Sequence, residues 1–400
     1  MPIRERIATL SHHWRCTISA FVHEVDTTGP ATHVILVGLS DYPHLRGGSG
    51  ALARWHFSLG QLSSPSASAR ALADWYIEEF DNPARPLASL SLLLSEPGDQ
   101  GAVYDNGATG ISHTVPRGNT KDLRSAVLRV LERSGPDDQL LFYFAGHGIS
   151  AGLNDFYLLR DFGDEHDAPL DHMVNYSEFM EAMSTQIPST QFYVFDACRD
   201  VDPRVDANTT GGTGLVTSDP ETRLELGSVD LCSIMSTEKD ARAYGPRGQP
   251  SVCAQAYLRA IAGAAGKKMG ADWKITTLKM FEALKDFQTL GRGGHAGLKQ
   301  VTDTDRFKDF PIRDLPGPPK VPVFLRRKDG ASLKGSTLHY GSLGTERSER
   351  RALQLTEPQW EGLLDIGLYE FKVEVGPSRF LPAVSEMVFP THLPLEVSDT

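Results

Sequence analysis

The sequence predicts an α/β fold, a mainly parallel sheet covered by helices on both faces, with a small β-rich domain after it. Three observations predict this. Short apolar runs recur over the first three hundred residues, and stretches with helical spacing separate them. A Pro/Gly-rich segment, "DLPGPPKVP" from Asp314, then resists both helix and strand and reads as a domain boundary. Beyond it "GLYEFKVEVG" alternates Tyr369, Phe371, Val373 and Val375 against Glu370, Lys372 and Glu374, the pattern of a half-buried strand.

Taken in order, "HVILVGLSDY" holds six apolar or small residues, Val34 to Leu39, as a strand buried on both faces requires. "ARALADWYIEEF" places Leu72, Trp75, Tyr76 and Phe80 at helical spacing, and "LASLSLLLS" (Leu87 to Ser95) is a second strand between Pro86 and Pro97. "GNTKDLRSAVLRVLERSG" is a helix with Asn119 or Thr120 as N-cap, Leu123, Val127 and Val130 as its stripe and Gly135 at its end. Next come the strand "QLLFYFAGHGIS", the short helix "YSEFMEAMSTQ", the strand "TQFYVFDACRD" and, after a polar Gly-rich interval, the strand "VDLCSIMS". Helices follow at about Ser251 to Ala265 and at Thr276 to Phe287. "VPVFLRR", "STLHYGSL" and "RALQLT" are shorter strand candidates. The expected domains are an extension over 1–30, an α/β domain over 31–313 and a β-rich domain over 320–400.

Net charge is −11 over 400 residues, with 40% hydrophobic and 23% charged residues. That balance argues against nucleic acid and anionic membranes as partners and leans weakly toward basic ones. Four cysteines without a CxxC pair or clustered Cys/His spacing argue against a disulfide framework or structural zinc site, and the expected location is cytoplasmic. The N-terminus lacks an apolar signal core, and no run approaches the ~20 apolar residues that span a bilayer.

Two strands each end at one reactive side chain, His147 in "FAGHG" and Cys198 in "FDACRD". In an open parallel sheet sites lie beyond the carboxyl ends of the strands, so adjacent strands bring imidazole and thiol together. An imidazole that takes the thiol proton makes the sulfur a nucleophile. Gly146 and Gly148 leave room around the histidine, and the amides of Gly148 and Cys198 are candidate oxyanion donors. A lone GHG or a lone buried cysteine is weak, but the pair at this spacing, on these strand ends, is not.

"FYFAGHG" followed by "FDACRD" fifty-one positions later resembles the His and Cys motifs of caspase-fold (clan CD, peptidase C14-like) cysteine proteases, particularly the metacaspase-like and bacterial caspase-like branch. The resemblance covers roughly residues 30 to 290 and implies a caspase-like three-layer sandwich with a Cys-His dyad and no organic cofactor. Asp196 replaces the glutamine of the caspase signature and Asp200 its glycine. In metacaspase-like relatives an aspartate at the first of these positions pairs with a basic P1 side chain, and a buried carboxylate there favours Arg, then Lys. The bland reading of Asp196 is a strand-end cap or a partner for Arg199. Asp41 resembles the second acidic S1 residue, against ordinary turn chemistry.

The linker at about 201–228, between p20-like and p10-like parts, is often cut in the family. Arg204 and Arg223 lie within it and Arg242 and Arg247 just after it, as candidate processing sites for self-cleavage or an upstream protease. Some metacaspases need calcium, and Asp161, Asp164, Glu165 and Asp167 offer hard oxygen ligands, though a solvated acidic loop is the preferred reading. The expected partners are proteins with exposed Arg or Lys, and family analogy alone suggests a bacterial defence or cell-death protease. The alternative is a caspase-fold scaffold or signalling adaptor that has lost activity.

Overall fold

A computed structural model of the chain describes residues 19–98, 101–151, 154–168, 170–201, 211–219, 221–222, 228–238, 243, 245–291, 302–344 and 350–399. The chain divides into two compact units, Met1–Leu258 with Leu284–Ile312, and Arg259–Ala283 with Arg313–Thr400. The second unit thus takes in Arg259–Ala283, which a single cut at the Pro-rich segment would leave with the first.

In the first unit the strands are β1 (Phe21–Glu24), β2 (Thr32–Leu39), β3 (Leu87–Ser95), β4 (Ala102–Asn106), β5 (Ile111–Val115), β6 (Gln139–Gly146), β7 (Gly148–Ala151), β8 (Asn154–Leu158), β9 (Met173–Asn175), β10 (Thr190–Ala197), β11 (Asp200–Val201) and β12 (Asp230–Met235). Helices α1 (Ser64–Glu78), α2 (Thr120–Arg133), α3 (Tyr176–Met183) and α4 (Val252–Arg259) lie between and after them. Farther along come β13 (Gly266–Met269), β14 (Asp272–Thr276), α5 (Thr277–Gly291), β15 (Asp303–Thr304) and β16 (Pro311–Leu315). The main sheet runs β1-β3-β2-β6-β10-β12-β15. Its five central strands are parallel, and β1 and β15 add antiparallel edges.

Every residue of β2, β6 and β10 is buried, because helices cover both faces. Side chains alternate across a strand. On β6, Phe142 meets Phe179 of α3 at 5.6 Å, while its neighbour Tyr143 meets Tyr257 of α4 at 5.9 Å. That is why these strands read as continuous apolar runs rather than as alternation. The Asn119 side chain caps α2 by accepting the Asp122 N–H, and the helix stops at Ser134, one residue before the expected glycine. Helix α4 ends sooner than its sequence suggests, passing into a π-turn at Ala260–Ala264 where Gly263 takes φ +148.

Two hairpins escaped the sequence reading, β4–β5 and β13–β14. So did the small sheet β11-β7-β8-β9 that continues from the histidine strand. In the second unit, β17 (Val321–Arg327), β18 (Thr337–Ser342), β19 (Arg351–Gln354), β20 (Trp360–Leu364), β21 (Gly367–Gly376), β22 (Arg379–Phe380), β23 (Val384–Val388) and β24 (Leu393–Val397) form the expected β-rich region. Its sheets, β20-β17-β24 and β19-β18-β21-β22, share a core of Val321, Val323, Leu338, Phe371, Val373 and Leu395. Among the described residues no helix is long and apolar enough to cross a membrane.

Candidate active site

Strands β6 and β10 pair in parallel register, Asp196 opposite Ala145 and Ala197 opposite Gly146. The next residue on each chain is His147 and Cys198, so the ladder itself delivers the two backbones side by side, about one strand spacing of 4.8 Å apart. Both side chains line one pocket of about 470 Å³, together with Gly60, Gln61, Ser64, Asp196, Ala243 and Ser251.

The imidazole of His147 is buried and its Nε2 lies 2.6 Å from the Gly60 carbonyl oxygen. A carbonyl only accepts, so Nε2 carries the proton and Nδ1 is the ring's acceptor. Burial pulls the His147 pKa down to about 4, more than the Gly60 hydrogen bond raises it. The ring is therefore neutral at ordinary pH and able to take a proton. Its backbone N–H donates to the Tyr42 hydroxyl at 2.9 Å, and the Tyr42 ring lies 4.9 Å from the imidazole, centroid to centroid.

The Cys198 thiol is partly exposed and outside any disulfide. The Ala243 N–H donates to its Sγ at 3.3 Å, a contact that favours the thiolate. Gly148 packs so closely here that a Cβ on it would collide with the Cys198 carbonyl oxygen. The next residue, Arg199, is buried and anchors the turn. Its Nη2 lies 2.8 Å and its Nε 3.0 Å from Asp155 Oδ2, and its Nη1 reaches Asp303 at 2.7 Å and the Thr237 carbonyl at 3.2 Å. Asp155, not Asp196, is its buried partner.

Asp196 lines the pocket and is 4% exposed. The Tyr143 hydroxyl donates to Oδ2 at 2.7 Å, and the Ser251 hydroxyl donates to the same oxygen. Oδ1 has no hydrogen-bond partner among the described residues. Burial raises the carboxyl's pKa, and the Ser251 and Tyr143 hydroxyls, with a weaker pull from Ser236, draw it partly back. A buried carboxylate in a pocket wall, with one oxygen lacking a hydrogen-bond partner, favours a cationic donor over an anionic one.

Asp41 does not join it. Its Oδ2 faces Arg117 and Arg160, each at 3.4 Å, and Asp41 is absent from the pocket lining. The suggested second S1 carboxylate is instead an ion-pair centre. Arg247 sits exposed on a turn closed by Gln249 N–H to the Pro246 carbonyl at 3.1 Å. Arg204, Arg223 and Arg242 lie outside the described residues.

The acidic run around Asp161 also disperses. Asp161 accepts from the Thr120 backbone and hydroxyl and pairs with His172, while Asp164 pairs with His44 at 2.7 Å. Glu165 and Asp167 are exposed. Among the described residues no group of three His, Cys, Asp or Glu side chains could hold a metal ion.

Four contributors were missed from sequence: Gly60, Tyr42, Tyr143 and Ser251. Ser251 alone carried a local signal, since a serine heading a helix caps it, and its Oγ does accept the Ala254 N–H at 2.9 Å.

Residues 112–301 match the family model for the caspase domain. The chain is similar to an uncharacterized protein, y4kE, of Sinorhizobium fredii (strain NBRC 101917 / NGR234), with 26% identity over 282 residues, 69% of this chain and 78% of that one. Among solved structures, caspase-1 from Spodoptera frugiperda aligns with a TM-score of 0.40 at 12% identity, over 73% of this chain and 94% of its own. A Geobacter sulfurreducens protein aligns with a TM-score of 0.40 at 11% identity, over 69% of this chain and 93% of its own.

Proposed function

We propose that this chain, a caspase-fold protein, is a cysteine endopeptidase that cuts proteins after basic residues, Arg before Lys. The observation that carries the reading is the buried carboxylate of Asp196, its Oδ1 without a hydrogen-bond partner among the described residues, in the wall of the pocket that His147 and Cys198 also line. A guanidinium entering that pocket would bring positive charge and further donors to the Asp196 carboxylate and offset the cost of the buried charge. An acidic P1 side chain would meet like charge.

In this mechanism neutral His147 takes the Cys198 proton, and the sulfur attacks the scissile carbonyl. The oxyanion is held by the amides of Gly148 and Cys198, where Gly148 lies against the Cys198 main chain. His147 then gives its proton to the leaving amine, the C–N bond breaks and an acyl-enzyme remains. Water adds to the thioester, His147 takes its proton, and the carboxylic acid leaves as the C–S bond breaks and the thiol is restored.

Activation by cutting the 201–228 linker, self-inflicted or by an upstream protease, belongs to the same reading. Among the candidate cut sites Arg247 is poorly suited. Its turn is held by the Ser64 hydroxyl on the Pro246 carbonyl at 3.0 Å and by Gly248 N–H on Ser63 Oγ at 3.2 Å, backbone ties that a cut there would have to break. A place in bacterial defence or cell death rests on family analogy.

The test is hydrolysis of fluorogenic peptides that differ only at P1 (Arg, Lys, Asp, Ala), on intact and linker-nicked protein. Cys198→Ala should abolish turnover. Asp196→Asn should lower kcat/KM for Arg substrates by roughly 30-fold to 10³-fold, the cost of breaking one buried charge pair. Cleavage after Asp would overturn the reading of Asp196, and silence in every form would bring forward the scaffold or adaptor.

A further inference from the structure

We infer that Gln61 is a positioning residue that sets the tautomer of the active-site imidazole, an inference that rests on the thiol-protease reading above. Gln61 is exposed, yet its carboxamide is fully engaged with main chain. Oε1 accepts the Tyr42 N–H at 2.8 Å, and Nε2 donates to the Tyr42 carbonyl at 2.9 Å and to the Arg46 carbonyl at 3.2 Å. The side chain thus pairs with both polar groups of Tyr42 as an adjacent strand would.

Each end of that clip touches His147 one step away. Gln61 follows Gly60, whose carbonyl takes the Nε2 proton at 2.6 Å. Tyr42 takes the His147 backbone N–H on its hydroxyl and lies against the ring. The path from imidazole through Gly60, Gln61 and Tyr42 back to the His147 backbone is a closed loop, in which the Gln61 carboxamide is the only side-chain amide.

The segment before it needs such a tie. Phe57 and Ser58 hold φ of 48 and 61, left-handed conformations that non-glycine residues resist. Main-chain bonds fix the flanks, Arg46 N–H to the Leu59 carbonyl at 3.1 Å and Leu62 N–H to the Ser40 carbonyl at 2.9 Å. Gln61 adds the link between this strained turn and the tyrosine under the histidine. With the Gly60 carbonyl displaced, the neutral ring loses what holds its proton on Nε2, and a proton on Nδ1 would remove the base from the reaction.

The experiment compares wild type with Gln61→Met, of similar length without the amide, and with Gln61→Glu, which keeps the acceptor and loses the donor. Three readouts are taken: the ¹⁵N signature of the His147 tautomer, assigned with His147→Gln; the pH profile of Cys198 alkylation by iodoacetamide; and kcat and KM on a P1-Arg peptide. Gln61→Met should give mixed tautomers, alkylation near neutral pH slowed roughly tenfold, and kcat down roughly tenfold with KM within about twofold. Gln61→Glu should recover part of each. A wild-type tautomer and alkylation profile in Gln61→Met, or a change in KM alone, would overturn the inference. Because the first two readouts need no turnover, a tautomer shift in a protein that cuts no peptide would keep the positioning role and sink the protease reading instead.

Discussion

His147 is uncharged over the range in which most histidines titrate, because burial outweighs the Gly60 hydrogen bond and holds its pKa near 4. The ring must be neutral to accept the thiol proton, and it charges only as pH falls through about 4. The acidic limb of kcat/KM, which reports the free enzyme, should accordingly lie well below 6.5. A limb near 6.5 in protein whose near-ultraviolet circular dichroism is unchanged would refute this. The same group makes acid destabilising. The unfolded chain takes up this proton near pH 6.5 and the folded chain near 4, so stability falls between those values by on the order of 3 kcal/mol and not further below. Asp41 shows why neighbours in sequence need not share a site. It precedes Tyr42, which touches the imidazole, but its own carboxylate turns to Arg117 and Arg160.

Strand ends, rather than loops, bring His147 and Cys198 side by side, and this is why that placement was legible. Apolar runs on β6 and β10 mark buried strands, and an abrupt polar residue after each marks the mouth of the sheet. What stayed hidden works through groups that every residue owns or that sit far away in sequence: a carbonyl 87 positions from His147 and a phenol 105 positions from it. That Asp196 lies beside Cys198 in the pocket wall was legible from its place two residues before the thiol, whereas its hydroxyl partners come from the neighbouring strand and from the head of α4. The small sheet of β7, β8 and β9 was missed because its strands are three to five residues long, too short for a periodicity to declare itself. At this scale Gly148→Ala is the informative change. Its Cβ would meet the Cys198 carbonyl and lie 3.1 Å from Ala197 Cβ, while Gly29→Ala would meet nothing within 4 Å. The first should lose at least tenfold in kcat/KM and about 1–3 kcal/mol of stability, and the second neither, as turnover and thermal melts would show.

Across the whole molecule, each unit keeps its own core, and the alternation that announced β21 was readable because Phe371 and Val373 are buried while the residues beside them are part-exposed. The grouping of Arg259–Ala283 with the second unit was not readable, since nothing in a helix-forming stretch says which neighbour it joins. One further property follows from the β10–β12 ladder, in which Thr190 to Phe195 pair rung for rung with Asp230 to Met235 on either side of the linker. The Asp196–Ser251 contact and the Thr237 hydroxyl on the Ala197 carbonyl at 3.1 Å bridge the same gap. Peptide continuity between residues 201 and 228 is thus redundant for holding the site together once the sheet has formed. A single proteolytic nick there should yield two fragments on a denaturing gel that travel as one particle through a sizing column and part only in denaturant. Fragments that separate in native buffer would show the opposite. A chain built this way can be severed without being dismantled, so cutting could serve as a permanent record on a machine that stays whole.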